Sequence, residues 1–134
     1  EGIIKIISIL NGLIQAFGNP SICLAVDELD AGIFEYMLGE LLDIFNKSAK
    51  GQLIFTSHNL RALEMLDKDN IMFSTVNPER RYIRMKNVKA SNNLRDTYIR
   101  GLTLGGQDEV IYEETDSLRI ARAFRKAGRT IQHE

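Results

Sequence analysis

Ile22-Cys23-Leu24-Ala25-Val26-Asp27-Glu28-Leu29-Asp30 is the stretch whose reading decides the fold, because an apolar run of strand length stops abruptly at two acids. A run that is apolar at every position, rather than at every second one, is the pattern of a strand covered on both faces in a parallel sheet. Phe34 to Phe45 then shows helical spacing at Phe34, Met37, Leu38, Leu41, Leu42 and Phe45, and a second apolar run follows, Leu53-Ile54-Phe55-Thr56-Ser57-His58-Asn59. Strand, helix and strand in that order predict a parallel pair joined by a right-handed crossover. In an open parallel sheet ligands gather at the carboxyl ends of the strands, so topology sends Asp27, Glu28 and His58 to one edge.

Outward from this unit, Ile3, Ile7, Leu10, Ile14 and Phe17 recur at spacings of three and four, and Ile6 and Leu13 widen the stripe. The spacing predicts a helix from Ile3 to Phe17 that packs through this face and ends at Gly18-Asn19-Pro20. On the other side, a short helix from Leu60 to Leu66 is expected, with Asn59 as its N-cap. The runs Ile71–Val76 and Tyr82–Met85 flank the turn composition Asn77-Pro78-Glu79-Arg80 and predict an antiparallel hairpin on the sheet edge. Beyond Lys89-Ala90-Ser91-Asn92-Asn93 come helices near Leu94–Leu102 and Ser117–Lys126, separated by a loop at Gly105-Gly106. The tyrosines and phenylalanines are expected in cores, leaving no stacking platform for single-stranded nucleic acid.

The whole chain has 134 residues, 44% hydrophobic and 26% charged, which suits a single domain and excludes disorder or a collagen-like repeat. A lone cysteine, Cys23, excludes an internal disulfide; in mid-strand it is expected to be buried and unreactive. Seventeen basic and 18 acidic residues leave a net charge of -1, so no global field favours nucleic acid. Lys5, Ser8, Asn11 and Gln15 break the apolar run, which is neither a membrane span nor a signal peptide. A cytoplasmic protein with no membrane partner is the expectation.

Carboxylates at a strand end are what nucleotide hydrolysis needs: one helps to hold a Mg²⁺ shell, and the next orients or deprotonates the attacking water. Ile22 to Asp30 resembles the Walker B strand and D-loop of ABC-type ATPases, and Leu53 to Asn59 resembles their switch-histidine strand. Within that family the chain is most similar to the RecF/SMC-like branch, in particular to bacterial AAA family ATPases related to OLD and abortive-infection proteins. The resemblance implies a three-layer, P-loop NTPase-like α/β fragment, with parallel core strands, the hairpin at the edge and a helical C-terminal tail. Residues 1–90 would be the C-terminal part of an ATPase head, cut near its signature motif, and 91–134 a family-specific tail.

The resemblance also assigns roles. Asp27 would belong to the Mg²⁺ shell, Glu28 would be the catalytic carboxylate, and His58 would sense the γ-phosphate of ATP. Asp30 would sit in the D-loop at a dimer interface, and Gly2 would approach the nucleotide of the opposite subunit in a homodimer. No G-x-x-x-x-G-K-[ST] loop occurs in the sequence, so these residues alone are expected to be inactive. Leu104-Gly105-Gly106-Gln107 looks like a transporter signature, yet it follows the acidic pair instead of preceding it and reads as a loop.

Two other readings compete with an ATPase in DNA repair or phage defence. The chain could be a non-catalytic module that docks DNA or a nuclease or effector partner through Arg119, Arg122, Lys126 and Arg129, set opposite Leu118, Ala121 and Phe124. Arg80, Arg81, Arg84 and Lys86 on the hairpin invite the same two readings, a solvated face or a phosphate contact. A metal-dependent nuclease using Asp27, Glu28 and Asp30 would need further carboxylates, and Glu35 and Glu40 lie on the following helix. His133 reads as a surface residue.

Overall fold

The computed structural model describes residues 2–86, 93–104, 106, 107, 109–113 and 115–131. The first helix, α1, runs Gly2–Gly18, and the strand β1 follows at Cys23–Val26. Helix α2, Glu35–Ser48, carries the chain to β2, Gln52–Phe55. The two strands pair in parallel, with Val26 opposite Phe55, as strand-helix-strand order demands. Beyond them lie a short helix α3 at Ala62–Met65, a single 3₁₀ turn at Lys68–Asn70 and the strands β3, Phe73–Ser74, and β4, Tyr82–Ile83. Helices α4, Leu94–Leu104, and α5, Ser117–Ile131, complete the order, and α5 runs past the expected end at Lys126.

Helices α1 and α2 cover the same face of the parallel pair. Leu24, Val26, Leu53 and Phe55 point to that face and are half-buried, whereas Cys23, Ala25, Gln52 and Ile54 are exposed, Ile54 to 59%. Among the described residues the parallel pair and its two helices form two layers. Cys23 lies on the bare face and is exposed, not buried. The hairpin also departs from expectation: β3 and β4 form a separate antiparallel sheet, Phe73 opposite Ile83, and do not extend the parallel one.

Helix α1 is apolar on two sides, and the structure selects the one the sequence stripe did not emphasise. Leu13 and Ala16 are buried, with Ile6 and Ile9 half-buried against the core, while Ile3, Ile7, Leu10, Ile14 and Phe17 face outward. The main core gathers Leu29, Ile33, Leu38, Leu42 and Ala62 between α2, α3 and the acidic turn. A second cluster joins Leu63, Phe73, Ile83 and Leu94, with Phe73 and Tyr98 stacked at 5.1 Å, so α4 packs on the hairpin. Not all aromatics reach these cores: Phe34, Tyr36, Tyr82, Tyr112 and Phe124 are exposed. Among the described residues no helix is long and apolar enough to cross a membrane.

Gly51 locks α1 to β2. Its amide donates to the Ala16 carbonyl at 2.8 Å, its neighbours Lys50 and Gln52 donate to Phe17 and Ile22, and a Cβ at Gly51 would lie 2.5–2.6 Å from three carbonyl oxygens. Backbone oxygens cannot step aside as a side chain would. Gly51→Ala should therefore cost about 1–3 kcal/mol in urea unfolding.

Glu64 ties α3 to α4. Arg95 Nη1 and Arg61 Nη1 reach its two carboxylate oxygens at 2.6 and 2.5 Å, and hydrogen bonds from Arg95 first and Arg61 second hold its carboxyl below the ordinary value of 4.5. A lowered native pKa means that the unfolded chain binds more protons through that window. The stabilisation is whole above the ordinary carboxylate value and is lost as pH falls through the lowered one. Urea midpoints taken across that acid range should fall in the parent chain and show a flatter slope in Glu64→Gln.

The acidic turn as a candidate active site

Parallel pairing of Val26 with Phe55 leaves Asp27 and Thr56 side by side just beyond the strand ends. The Thr56 hydroxyl donates to Asp27 Oδ1 at 2.5 Å and accepts the Glu28 amide at 2.7 Å. Backbone bonds close the junction, with Thr56 N donating to Val26 O at 3.1 Å and Leu29 N to Thr56 O at 2.9 Å. The second strand thus fixes both the side chain of the first acid and the backbone of the next.

Glu28 adopts φ 47, a left-handed conformation uncommon for any residue with a Cβ. Such backbone strain costs on the order of 1–3 kcal/mol and persists only where neighbours over-determine it. Here they do. The Glu28 carbonyl accepts the Ala31 amide at 2.9 Å and also the Lys5 ammonium, which reaches across from α1. The following residue, Leu29, is wholly buried in the main core, so an apolar anchor sits directly beside the exposed acid pair.

His58 is 87% exposed at the side chain and Glu28 59%; Nε2 of one approaches Oε1 of the other at 3.9 Å, outside hydrogen-bond range. The His58 amide reaches both Asp30 carboxylate oxygens at 3.3 Å, so Asp30 holds the start of the loop after β2. Four of the five sequence-selected residues, Asp27, Glu28, Asp30 and His58, therefore stand at one edge. Gly2 opens α1, three residues before Lys5. Asn59 does not cap α3; its Oδ1 accepts the Arg61 amide at 2.8 Å in a side-chain turn that precedes the helix.

Sequence reasoning missed two residues. In the sequence Thr56 reads only as the last strand position and Lys5 only as a polar break in an apolar run. A hydroxyl that closes an otherwise aliphatic strand, in register with an acid, was the available signal for Thr56. The distance in sequence from Lys5 to Glu28 hid the other.

Among the described residues, no group of three His, Cys, Asp or Glu side chains is placed to hold a metal ion. Mg²⁺ usually takes only one or two protein carboxylates and completes its shell with phosphates and water, a demand to which Asp27 alone can contribute. The hairpin cations are also engaged within the chain: Arg80 pairs with Glu109 at 3.1 Å, Arg84 with Asp69, and Arg81 Nε donates to Pro78 O. Gly106 adopts φ 89 in its loop, while Gly105 lies outside the described residues, as do His133 and Lys89-Ala90-Ser91-Asn92.

Thr56→Val keeps the shape of the side chain and removes both hydroxyl bonds. It should cost about 1 kcal/mol in urea unfolding and speed amide exchange at Glu28, whereas Thr56→Ser should retain both properties.

Set against protein-family models, curated proteins and solved structures, the chain matches none.

Proposed function

We propose that the acidic turn is the hydrolytic edge of an ABC-type ATPase head and that the chain works as its C-terminal half. The observation that carries this reading is the approach of Glu28 and His58 to 3.9 Å from the ends of two parallel strands, with Asp27 and Asp30 bonded into the same edge. In this reading Asp27, its rotamer fixed by Thr56, offers one carboxylate to Mg²⁺, which supplies charge neutralisation for the phosphates when bound. Glu28 orients and deprotonates the attacking water. His58 meets the terminal phosphate from the neighbouring strand. Asp30 keeps the His58 backbone in place.

Exposure of Glu28 and His58 fits a site that is completed by something else. A water-accessible carboxylate is a poor base for a charged substrate until the site closes and water is expelled. A second head closing over Mg-ATP would do this, and Gly2 at the start of α1 would then act on the nucleotide of the opposite head. The phosphate-binding loop, which these residues do not contain, is the other requirement.

Joined to such a loop, the protein should hydrolyse ATP, and Glu28→Gln should lower kcat about a hundredfold or more while ATP binding persists. Hydrolysis that Glu28→Gln leaves unchanged removes the assignment. Residues 1–134 alone should show no turnover.

A further inference from the structure

Helix α5, SLRIARAFRKAGRTI, holds Arg119, Arg122, Arg125, Lys126 and Arg129 and no acid. Asp116 starts it cleanly: its Oδ1 accepts the Arg119 amide and its carbonyl accepts the Ile120 amide, both at 3.0 Å. Ile120, Phe124 and Ala127 recur at four and three, so they share one face with Ala123, and the cations take the other. This corrects the sequence expectation, which set the cations opposite Leu118 and passed over Arg125. Leu118 falls on the basic face itself, between Arg125 and Arg122 around the helix.

Leu118, Ile120 and Phe124 are exposed, as are Arg119, Arg122 and Arg125. Ile120 is 43% exposed and Phe124 73%, and no described carboxylate pairs with Arg119, Arg122 or Arg125. The hairpin is a useful contrast, because its arginines are bonded within the chain. A helix with a strongly cationic face, an apolar face and low overall hydrophobicity has the composition of one that lies in a membrane interface without spanning it.

We propose that α5 docks on an anionic lipid surface, with Ile120 and Phe124 entering the boundary of the acyl chains and Arg119, Arg122 and Arg125 meeting headgroup phosphates. Charge complementarity selects an anionic partner, and the apolar face selects among anionic partners. Nucleic acid would use the cations and leave Phe124 in water. An acidic protein groove grips a helix by bulky anchors at i, i+4 and i+7, and here the third position is Ala127. Shallow insertion into a bilayer needs no third anchor. Lipid docking is independent of the nucleotide reading, and it departs from the expectation of no membrane partner: α5 lies on a surface without spanning it.

The test uses the 134-residue chain and extruded vesicles of phosphatidylcholine, alone or mixed with phosphatidylserine. The chain has no tryptophan, so Phe124→Trp is a clean reporter. Its emission should shift to the blue with phosphatidylserine vesicles only, and added salt should reverse the shift. In co-sedimentation, Phe124→Asp and the double variant Arg122→Glu/Arg125→Glu should each weaken binding about tenfold or more. Three results overturn the proposal: no blue shift with phosphatidylserine, equal binding to phosphatidylcholine alone, or vesicle binding that Phe124→Asp leaves intact. Binding to duplex DNA without vesicle binding overturns it as well and favours the nucleic-acid module.

Discussion

One register holds the candidate site together. Because Val26 faces Phe55, the first residue past β1 meets the first residue past β2, and a hydroxyl there can serve an acid and an amide at once. A slip of one residue would turn every side chain of a strand to the opposite face. Either Leu24 and Val26 or Leu53 and Phe55 would then leave the helices, and Thr56 would leave Asp27. Packing of the covered face therefore enforces the geometry of the exposed edge.

Leu29 extends that dependence into the turn. The loop after β1 could wander if it were polar throughout, yet its third residue is seated among Ile33, Leu38, Leu42 and Ala62. Burying a leucine is worth roughly 1.5–3 kcal/mol, comparable to the strain of a left-handed residue beside it. Core packing and backbone strain thus meet at adjacent positions, which lets Glu28 keep a conformation it would not adopt in a free peptide.

Much of this was legible in the sequence, because periodicity found the helices and the abrupt end of an apolar run located the acidic turn. What the sequence could not settle was the choice between equals. On α1, Ile3-Ile7-Leu10-Ile14 and Ile6-Ile9-Leu13-Ala16 are both credible packing stripes, and only the position of β1 selects the second. Likewise, an apolar run at β1 reports that both faces tolerate cover, and here cover comes on one. The hairpin was legible as a hairpin, but its attachment depended on Phe73 and Ile83 finding Leu63 and Leu94, contacts that are distant in sequence. Thr56 escaped notice because a threonine is an ordinary strand residue until its partner across the register is known.

The left-handed backbone at residue 28 has a consequence for how this position can vary. Glycine and asparagine suit that conformation better than glutamate, so either would ease the turn, yet neither carries a carboxylate of the same reach. Robustness of the fold and capability of the edge therefore rank the side chains at this one position in different orders. A variant library sorted for thermal resistance would drift away from the acid, and one sorted for the proposed ATP hydrolysis would hold it.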